Sequence, residues 1–202
     1  MDIYLIRHGQ IERTGDRKDY FYRLTEEGKE NAKGAGQFIK NFCFNPDSKS
    51  ILLSSCSLRT IETSMYISEA INREINLVDG CYELDMGYNE CKDKKDWLYI
   101  NYDGEYTDRK GMGPKEKFRV KHYLGESPED VYKRVKGLED VIRNYNGDSV
   151  YAVGHGTALR LLTMRLMGYD EKWYYDEPVP TNCSIKKLVL KDNTISDHGY
   201  LR

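Results

Sequence analysis

Two hydrophobic patterns alternate along this chain: short continuous apolar runs, and longer stretches with apolar residues three and four apart. Residues 2–7, DIYLIR, are a β-rich run that stops at His8-Gly9, which predicts a buried strand breaking into a loop. The segment 10–23 is polar but carries Tyr20, Phe21 and Tyr22. Thr25 then reads as a helix N-cap, with Glu26 and Glu27 where the helix dipole favours acids. Ala32, Ala35, Phe38, Ile39 and Phe42 fall on one face of that helix. Residues 50–54, SILLS, predict a second strand, and Ser57 caps a helix with Leu58, Ile61 and Met65 inward. Residues 75–78, INLV, predict a third strand. Ser127, Pro128 and Asp130 open a further helix, which Val131, Val135, Leu138 and Ile142 continue on one face. Residues 149–153, SVYAV, end at Gly154-His155-Gly156 and run into a helix with Leu159, Leu162 and Leu166. Two last strands are predicted at 184–190 and about 194–201. Strands alternating with helices specify an α/β fold with a largely parallel sheet.

The region 88–125 keeps no clean period and reads as a cap or insertion within a single domain spanning 1–202. A chain of 202 residues is long enough to bury about 70% of its unfolded surface without disulfide staples or a structural metal. The 31 Lys and Arg nearly balance 33 Asp and Glu, a net charge of −2, which argues against a nucleic-acid binder working through bulk charge. The chain is polar and rich in tyrosine, with 17. It has nothing near the roughly 18 unbroken apolar residues of a membrane span, and its start lacks the pattern of a signal peptide. Cys43, Cys56, Cys81, Cys91 and Cys183 form no C-x-x-C pair, which fits reduced thiols and a cytoplasmic location.

The candidate chemistry lies at strand ends. Arg7-His8-Gly9 and Gly154-His155-Gly156 each place a His at the carboxyl end of a predicted strand, where open α/β sheets bind ligands. A lone His there is usually a structural hydrogen-bonder. Two of only four, each beside Gly, point to chemistry instead. In S-S-C-S-L-R-T, Arg59 stands in the first turn of the helix after the second strand. If these strands are neighbours, Arg7, Arg59, His8 and His155 converge beside a helix amino end as a site for a phosphate-like anion. A neutral imidazole has a lone pair and a pKa of about 6.5, so it attacks phosphorus without a separate base. Guanidinium groups and a protonated His155 would hold the equatorial oxygens of the transferring phosphoryl.

The ordered set of Arg7-His8-Gly9-Gln10, L-T-E-E-G-K-E-N-A at 24–32, S-S-C-S-L-R-T at 54–60, E-L-D-M-G-Y-N-E at 83–90, G-E-S at 125–127 and V-G-H-G at 153–156 resembles the histidine phosphatase superfamily. The resemblance covers most of the chain. It implies a three-layer α/β/α sandwich with a mixed, mainly parallel six-stranded sheet. By position, His8 is similar to the nucleophile that becomes phosphohistidine, and Glu83 to the proton donor. Arg7, Arg59, His155, Gly156 and Gln10 match the phosphate pocket. Members that carry the donor as an Asp after the second His differ here, because that position is Gly156, and this favours Glu83 over Asp85 or Glu90. A carboxyl group among cations needs partial burial to keep its proton. Asn31 stands where Gln is usual, and Arg13 where many relatives have Asn.

No Cys has Arg six residues later, no nucleotide-binding Gly loop follows a strand, and no zincin or calcium-loop spacing occurs. The chemistry implied needs no metal and no cofactor. The resemblance thus implies a phosphatase acting on a small phosphorylated metabolite, with no nucleic acid or membrane partner. Phosphoglycerate mutase-type transfer and a phosphate-dependent binding or regulatory protein are the alternatives. Mutases of the superfamily carry paired Arg in a longer cap, where this chain has Arg109-Lys110. Residues 109–121 hold six basic residues against Glu116, a surplus that attracts a substrate with more charge than one phosphate or simply forms a solvated loop. Tyr20, Phe21, Tyr22 and Trp97 are candidates for an aromatic pocket. The organic half of the substrate and the oligomeric state leave no mark in the sequence.

Overall fold

The computed structural model describes residues 1–12, 21–90 and 92–202, and Arg13, Tyr20 and Cys91 fall outside them. Six strands form the main sheet: β1 (Asp2–Arg7), β2 (Ser50–Ser54), β3 (Ile75–Leu77), β7 (Ser149–Gly154), β8 (Ile185–Lys191) and β9 (Thr194–Tyr200). Their spatial order is β3-β2-β7-β1-β8-β9. The β3–β2, β2–β7 and β7–β1 pairs are parallel, and only β8 runs against the rest. This is the mixed, mainly parallel sheet that the sequence implies.

Apolar residues run continuously in the central strands because both sheet faces are covered. Ile3 and Leu5 of β1 join Val150 and Ala152 of β7 on one face. Tyr4 and Ile6 join Tyr151 and Val153 on the other. The first face is covered by α4 (Pro128–Arg134), α5 (Lys136–Asn144), α6 (Gly156–Met167) and α7 (Glu171–Asp176), the second by α1 (Glu26–Phe42) and α2 (Leu58–Ile71). The result is a three-layer α/β/α sandwich. Among the described residues no helix is long and apolar enough to cross a membrane.

Register makes the strand ends meet. Arg7 lies opposite Gly154, and Ser54 opposite Val153, so β7 lies between β1 and β2 and all three stop at one level. The loops bearing His8, Ser55–Ser57 and His155 therefore emerge side by side, which meets the neighbour condition left open by the sequence.

Several local expectations need correction. Leu58, Ile61 and Met65 do not form the inward face of α2. Met65 is 57% exposed, and the buried positions are Arg59, Thr60, Thr63, Ser64, Ile67 and Ile71. The first two turns of α2 face the strand-end loops, where polar groups are required, and only its last turns reach the apolar core. Phe42 is 74% exposed and rests on Phe38, ring centroids 5.0 Å apart. The helix expected from Ser127 divides into α4 and α5 at Val135, although Val131, Val135, Leu138 and Ile142 are all buried as expected. The region 88–125 holds a small antiparallel sheet of β4 (Tyr99–Ile100), β5 (Tyr106–Thr107) and β6 (Lys121–His122), with α3 (Pro114–Arg119) between the last two. Strands of two residues have no periodicity to read.

Gly28 of α1 touches the loop after β1, and a Cβ there would lie 2.2 Å from the Gln10 carbonyl oxygen. Gly137 of α5 has nothing within 4 Å of its Cβ position. Gly28→Ala should therefore destabilise the protein by about 1–3 kcal/mol through backbone displacement, whereas Gly137→Ala should stabilise it by about 0.5–1 kcal/mol. Urea denaturation of the two variants checks the contrast.

Candidate active site

A cleft of about 260 Å³ opens at the joined strand ends, lined by Arg7, His8, Gln10, Ile11, Arg59, Glu83 and Asn182. His8 follows β1 directly, and its backbone N–H donates to the Gly154 carbonyl at 3.0 Å, which ties it to the end of β7. Its side chain is nearly buried. His8 Nδ1 lies 2.7 Å from the Gly9 carbonyl oxygen. A carbonyl only accepts, so Nδ1 carries the proton and Nε2 is left with its lone pair. Arg59 Nε donates to that Nε2 at 3.3 Å, which fits the same tautomer. Two further side chains steady the loop: Asn182 Nδ2 donates to the His8 carbonyl at 2.8 Å, and the Gly9 N–H donates to Thr63 Oγ1 at 3.0 Å.

The Arg59 guanidinium also reaches the second histidine, with Nη2 donating to His155 Nδ1 at 2.9 Å. Because guanidinium has no acceptor, Nδ1 of His155 must accept, and its proton sits on Nε2. That nitrogen faces Ser55 Oγ at 3.0 Å and Ser57 Oγ at 3.3 Å. Burial pushes the His155 pKa well down, with the Arg59 charge the next cause and smaller contributions from His8, Arg134 and Arg7. The sequence-based picture of a protonated His155 is thus corrected. The imidazole is neutral in this arrangement, and the arginines supply the positive charge. Ser57 occupies the N-cap position of α2 without capping it, because its hydroxyl turns to Thr60 Oγ1 (2.9 Å) and His155.

Glu83 comes from the segment after β3 and is half-buried. Its carboxylate accepts from the Thr157 N–H at the start of α6, at 3.1 and 3.3 Å, and from the Leu84 N–H at 2.9 Å. A Cβ at Gly156 would lie 3.7 Å from Glu83 Oε2 and 3.0 Å from Val179 Cγ1. The first distance is ordinary contact and the second is tight, so the glycine's missing side chain spares Val179, while the Glu83 carboxylate reaches the cleft from another segment. The two competing acids sit differently. Asp85 is exposed and its carboxylate accepts from the Gly87 N–H at 2.8 Å, and neither Asp85 nor Glu90 lines the cleft.

Other candidates from the sequence are placed with mixed results. Arg7 lines the cleft and donates to the Pro180 carbonyl. Gln10 also lines it, but its Oε1 accepts from the Thr25 hydroxyl at 3.0 Å. Arg109 of the cap donates to Tyr175 Oη at 2.9 Å and lies over the rings of Tyr99 and Tyr175, whereas Lys110 is exposed. The basic surplus of 109–121 is partly matched by α4, through Arg119–Glu129 at 3.6 Å and Lys121–Asp130 at 3.1 Å. Trp97 packs edge-on against Tyr99 and His122, Tyr22 is buried and Phe21 is exposed, and none of these three lines the cleft. Sequence reasoning missed Asn182, Thr63 and the hydroxyls of Ser55 and Ser57. Thr63 had a signal, since it lies four residues after Arg59 on the same helix face, but Asn182 had none. Among the described residues no group of His, Cys, Asp and Glu assembles as a metal site.

His8, Arg7 and Arg59 line a cleft at the carboxyl ends of a mainly parallel sheet, and His155, which is fully buried and does not line it, backs Arg59. Such a set can bind and transfer a phosphoryl group. Comparison with known proteins agrees: a family model described as histidine phosphatase superfamily (branch 1) matches residues 3–197. The chain belongs to that superfamily. It is 30% identical over 151 residues to phosphoserine phosphatase 1 of Hydrogenobacter thermophilus, a match covering 73% of this chain and 65% of that enzyme, slightly under two thirds of its length. It is 24% identical over 205 residues to a Salmonella arizonae protein named probable phosphoglycerate mutase GpmB, covering all of this chain and 90% of the relative. Among solved structures, the α-ribazole phosphatase of Shigella flexneri superposes with a TM-score of 0.78 at 17% identity, covering 100% of this chain and 96% of that one.

The buried histidines set a pH dependence. Burial, with help from Arg109, pushes His122 of the small sheet down to about 4, and His155 is depressed as well. In the unfolded chain both titrate near pH ~6.5, so below that value the unfolded state binds more protons. The His122 contribution to stability is complete above pH ~6.5 and is lost as pH falls towards about 4, and that of His155 is lost in the same direction. Unfolding free energies measured from pH 8 to pH 4 should show this decline, and His122→Gln should flatten part of it.

Proposed function

We propose that this protein is a phosphatase that hydrolyses a phosphate monoester through a phosphohistidine on His8. The observation that carries this reading is the tautomer of one imidazole: His8 Nδ1 donates to the Gly9 carbonyl, which leaves the lone pair on Nε2, beside Arg59 Nε. In the first step Nε2 attacks phosphorus, the bond to the leaving oxygen breaks, and the Glu83 carboxyl gives that oxygen its proton. In the second, the Glu83 carboxylate takes a proton from water as its oxygen attacks phosphorus. The P–N bond breaks, and inorganic phosphate and neutral His8 remain. Arg7 and Arg59 hold the phosphoryl oxygens, which carry most charge as the bonds change. His155 belongs to the same phosphate pocket as a neutral imidazole: burial, the larger cause, keeps its pKa depressed, and its Nδ1 orients the Arg59 guanidinium. Gln10 and Gly156 form the remainder of the phosphate pocket.

The substrate is a small phosphorylated metabolite in this reading, and the segment at about 88–125 acts as the cap over a single domain of residues 1–202. The phosphoserine phosphatase relative supports hydrolysis, which needs only that water reach phosphohistidine. The relative named for phosphoglycerate mutase supports the second reading, in which the phosphoryl returns to an organic hydroxyl. In that case the cap candidates Arg109 and Lys110 would meet the substrate carboxylate, and Arg109 is already engaged with Tyr175.

His8→Ala should abolish turnover, and rapid quenching of the wild type should trap phosphate that is acid-labile and base-stable. Trapping on a residue other than His8 overturns the assignment. Release of inorganic phosphate in place of isomerised phosphoglycerate, with bisphosphoglycerate present, separates hydrolysis from mutase transfer. Arg59→Ala should lower turnover by about a hundredfold or more, as loss of a transition-state donor does.

Glu83→Gln has an internal control in the leaving group. Alkyl phosphates leave as basic alkoxides and need the proton, whereas nitrophenyl phosphate leaves as a stable phenolate and hardly does. The kcat/KM of the variant should fall far more on alkyl phosphates. Equal losses on both esters would reject Glu83 as donor.

A further inference from the structure

The G-E-S motif at 125–127 supplies none of the groups that line the cleft, yet it is joined at both ends to the segment that carries Glu83. Gly125 brings the backbones together: a Cβ there would lie 2.4 Å from the Asp85 carbonyl oxygen and 2.8 Å from the Gly87 nitrogen. Gly87 has φ +51, and a Cβ on it would stand 2.4 Å from the Leu124 carbonyl carbon. With both side chains absent, the Glu126 N–H donates to the Asp85 carbonyl at 2.8 Å, and the Asp85 N–H donates back to Glu126 Oε2 at 3.0 Å. Ser127 then caps α4, accepting from the Asp130 N–H at 3.2 Å, and the last residue of α4 is Arg134.

Arg134 turns back to the same segment. Its Nε and Nη2 grip the Glu126 carboxylate at 2.8 and 2.9 Å, a two-point contact that only a planar fork makes. Nη1 donates to the Gly80 carbonyl at 2.5 Å and Nη2 to the Glu83 carbonyl at 3.0 Å. The guanidinium lies 3.8 Å from the ring centroid of Tyr82. Both side chains are largely removed from water, at 14% and 20% exposed, so solvent screens the pair less than a surface ion pair. Residues 80, 82, 83 and 85 are therefore held from one side by a single Arg–Glu unit. The Glu83 side chain leaves that segment on its way to the Thr157 N–H and the cleft.

We propose that Arg134 and Glu126 are positioning residues for proton donation: they fix the Gly80–Asp85 segment so that the Glu83 carboxyl meets the leaving oxygen. The proposal rests on the reading of Glu83 as the donor. A pair that only anchored the cap to the core would spread its contacts over the core elements. Among the described residues the four side-chain hydrogen bonds of Arg134 go instead to Gly80, Glu83 and Glu126, and its ring contact is to Tyr82. A displacement of about 1 Å at a reacting group costs up to a hundredfold in rate, so the clamp acts on chemistry without touching substrate.

The test compares kcat/KM on β-glycerophosphate and on p-nitrophenyl phosphate for Arg134→Gln, Arg134→Lys and Glu126→Gln, with Glu83→Gln as reference and thermal melts for all. Arg134→Gln should lose at least about tenfold more on the alkyl ester than on the aryl ester, since only the alkyl leaving group needs the proton. Lysine keeps the charge without the fork and should not restore the ratio. Adding Arg134→Gln to Glu83→Gln should leave the ratio of the single Glu83 variant unchanged, because the donor is already gone. Equal losses on both esters, in step with a lowered melting temperature, overturn the clamp. If Glu83→Gln itself shows no preference between the esters, the donor reading fails first and takes the proposal with it. If Arg134→Gln does not fold, Arg134→Lys and Glu126→Gln carry the same comparison.

Discussion

The guanidinium of Arg59, buried between two imidazoles, is the interaction around which the rest of this site is arranged. It is 2% exposed and donates to His8 Nε2 at 3.3 Å and to His155 Nδ1 at 2.9 Å. A charge placed that deep is costly unless its donors are used, and the two histidines use them only if their strands end at one level beside the first turn of α2. The order β2-β7-β1 and the pairing of Arg7 with Gly154 supply that condition. The same contacts select the tautomers. One imidazole keeps its lone pair on Nε2, beside Arg59, and the other turns its N–H to a pair of serine hydroxyls.

Holding such a group reshapes the elements that surround it. The inward face of α2 is given over to Arg59, Thr60, Thr63 and Ser64 before Ile67 and Ile71 resume the apolar core. Ser57 gives up the capping bond that its position offers and serves His155 instead. Gly9 has the backbone of Gly28 against it, with only 2.6 Å between its Cβ position and the Gly28 carbonyl oxygen. These are places where local preference yields to the site, and in a folded enzyme such conflicts gather where the chemistry is.

The region 88–125 shows the opposite balance. Its cationic surplus looks in sequence like an attractor for anions, but Arg119 and Lys121 meet carboxylates of α4, and Arg109 is held between aromatic rings. Arg109, Arg119 and Lys121 therefore tie this region to the helices of the sandwich. The aromatic residues follow suit: Trp97, Tyr99 and His122 pack on one another around the small sheet.

The sequence by itself determined the α/β class, the main strands and helices near their observed bounds, and the four candidate groups Arg7, His8, Arg59 and His155, while Glu83 was singled out only by the family resemblance. These were legible because strands and helices write their own periods, and because Gly beside His at two strand ends is a local signal. Tertiary structure alone decided which strands are neighbours, that β7 lies between β1 and β2, and hence that the two histidines share one arginine. It also decided the charge of His155, which follows from burial and from cations distant in sequence. Asn182 reaches His8 across 174 positions of chain, and Arg134 grips a segment 51 to 54 residues before it. Contacts over such separations are set by strand order and packing, and a linear pattern reports only what neighbours along the chain do to each other.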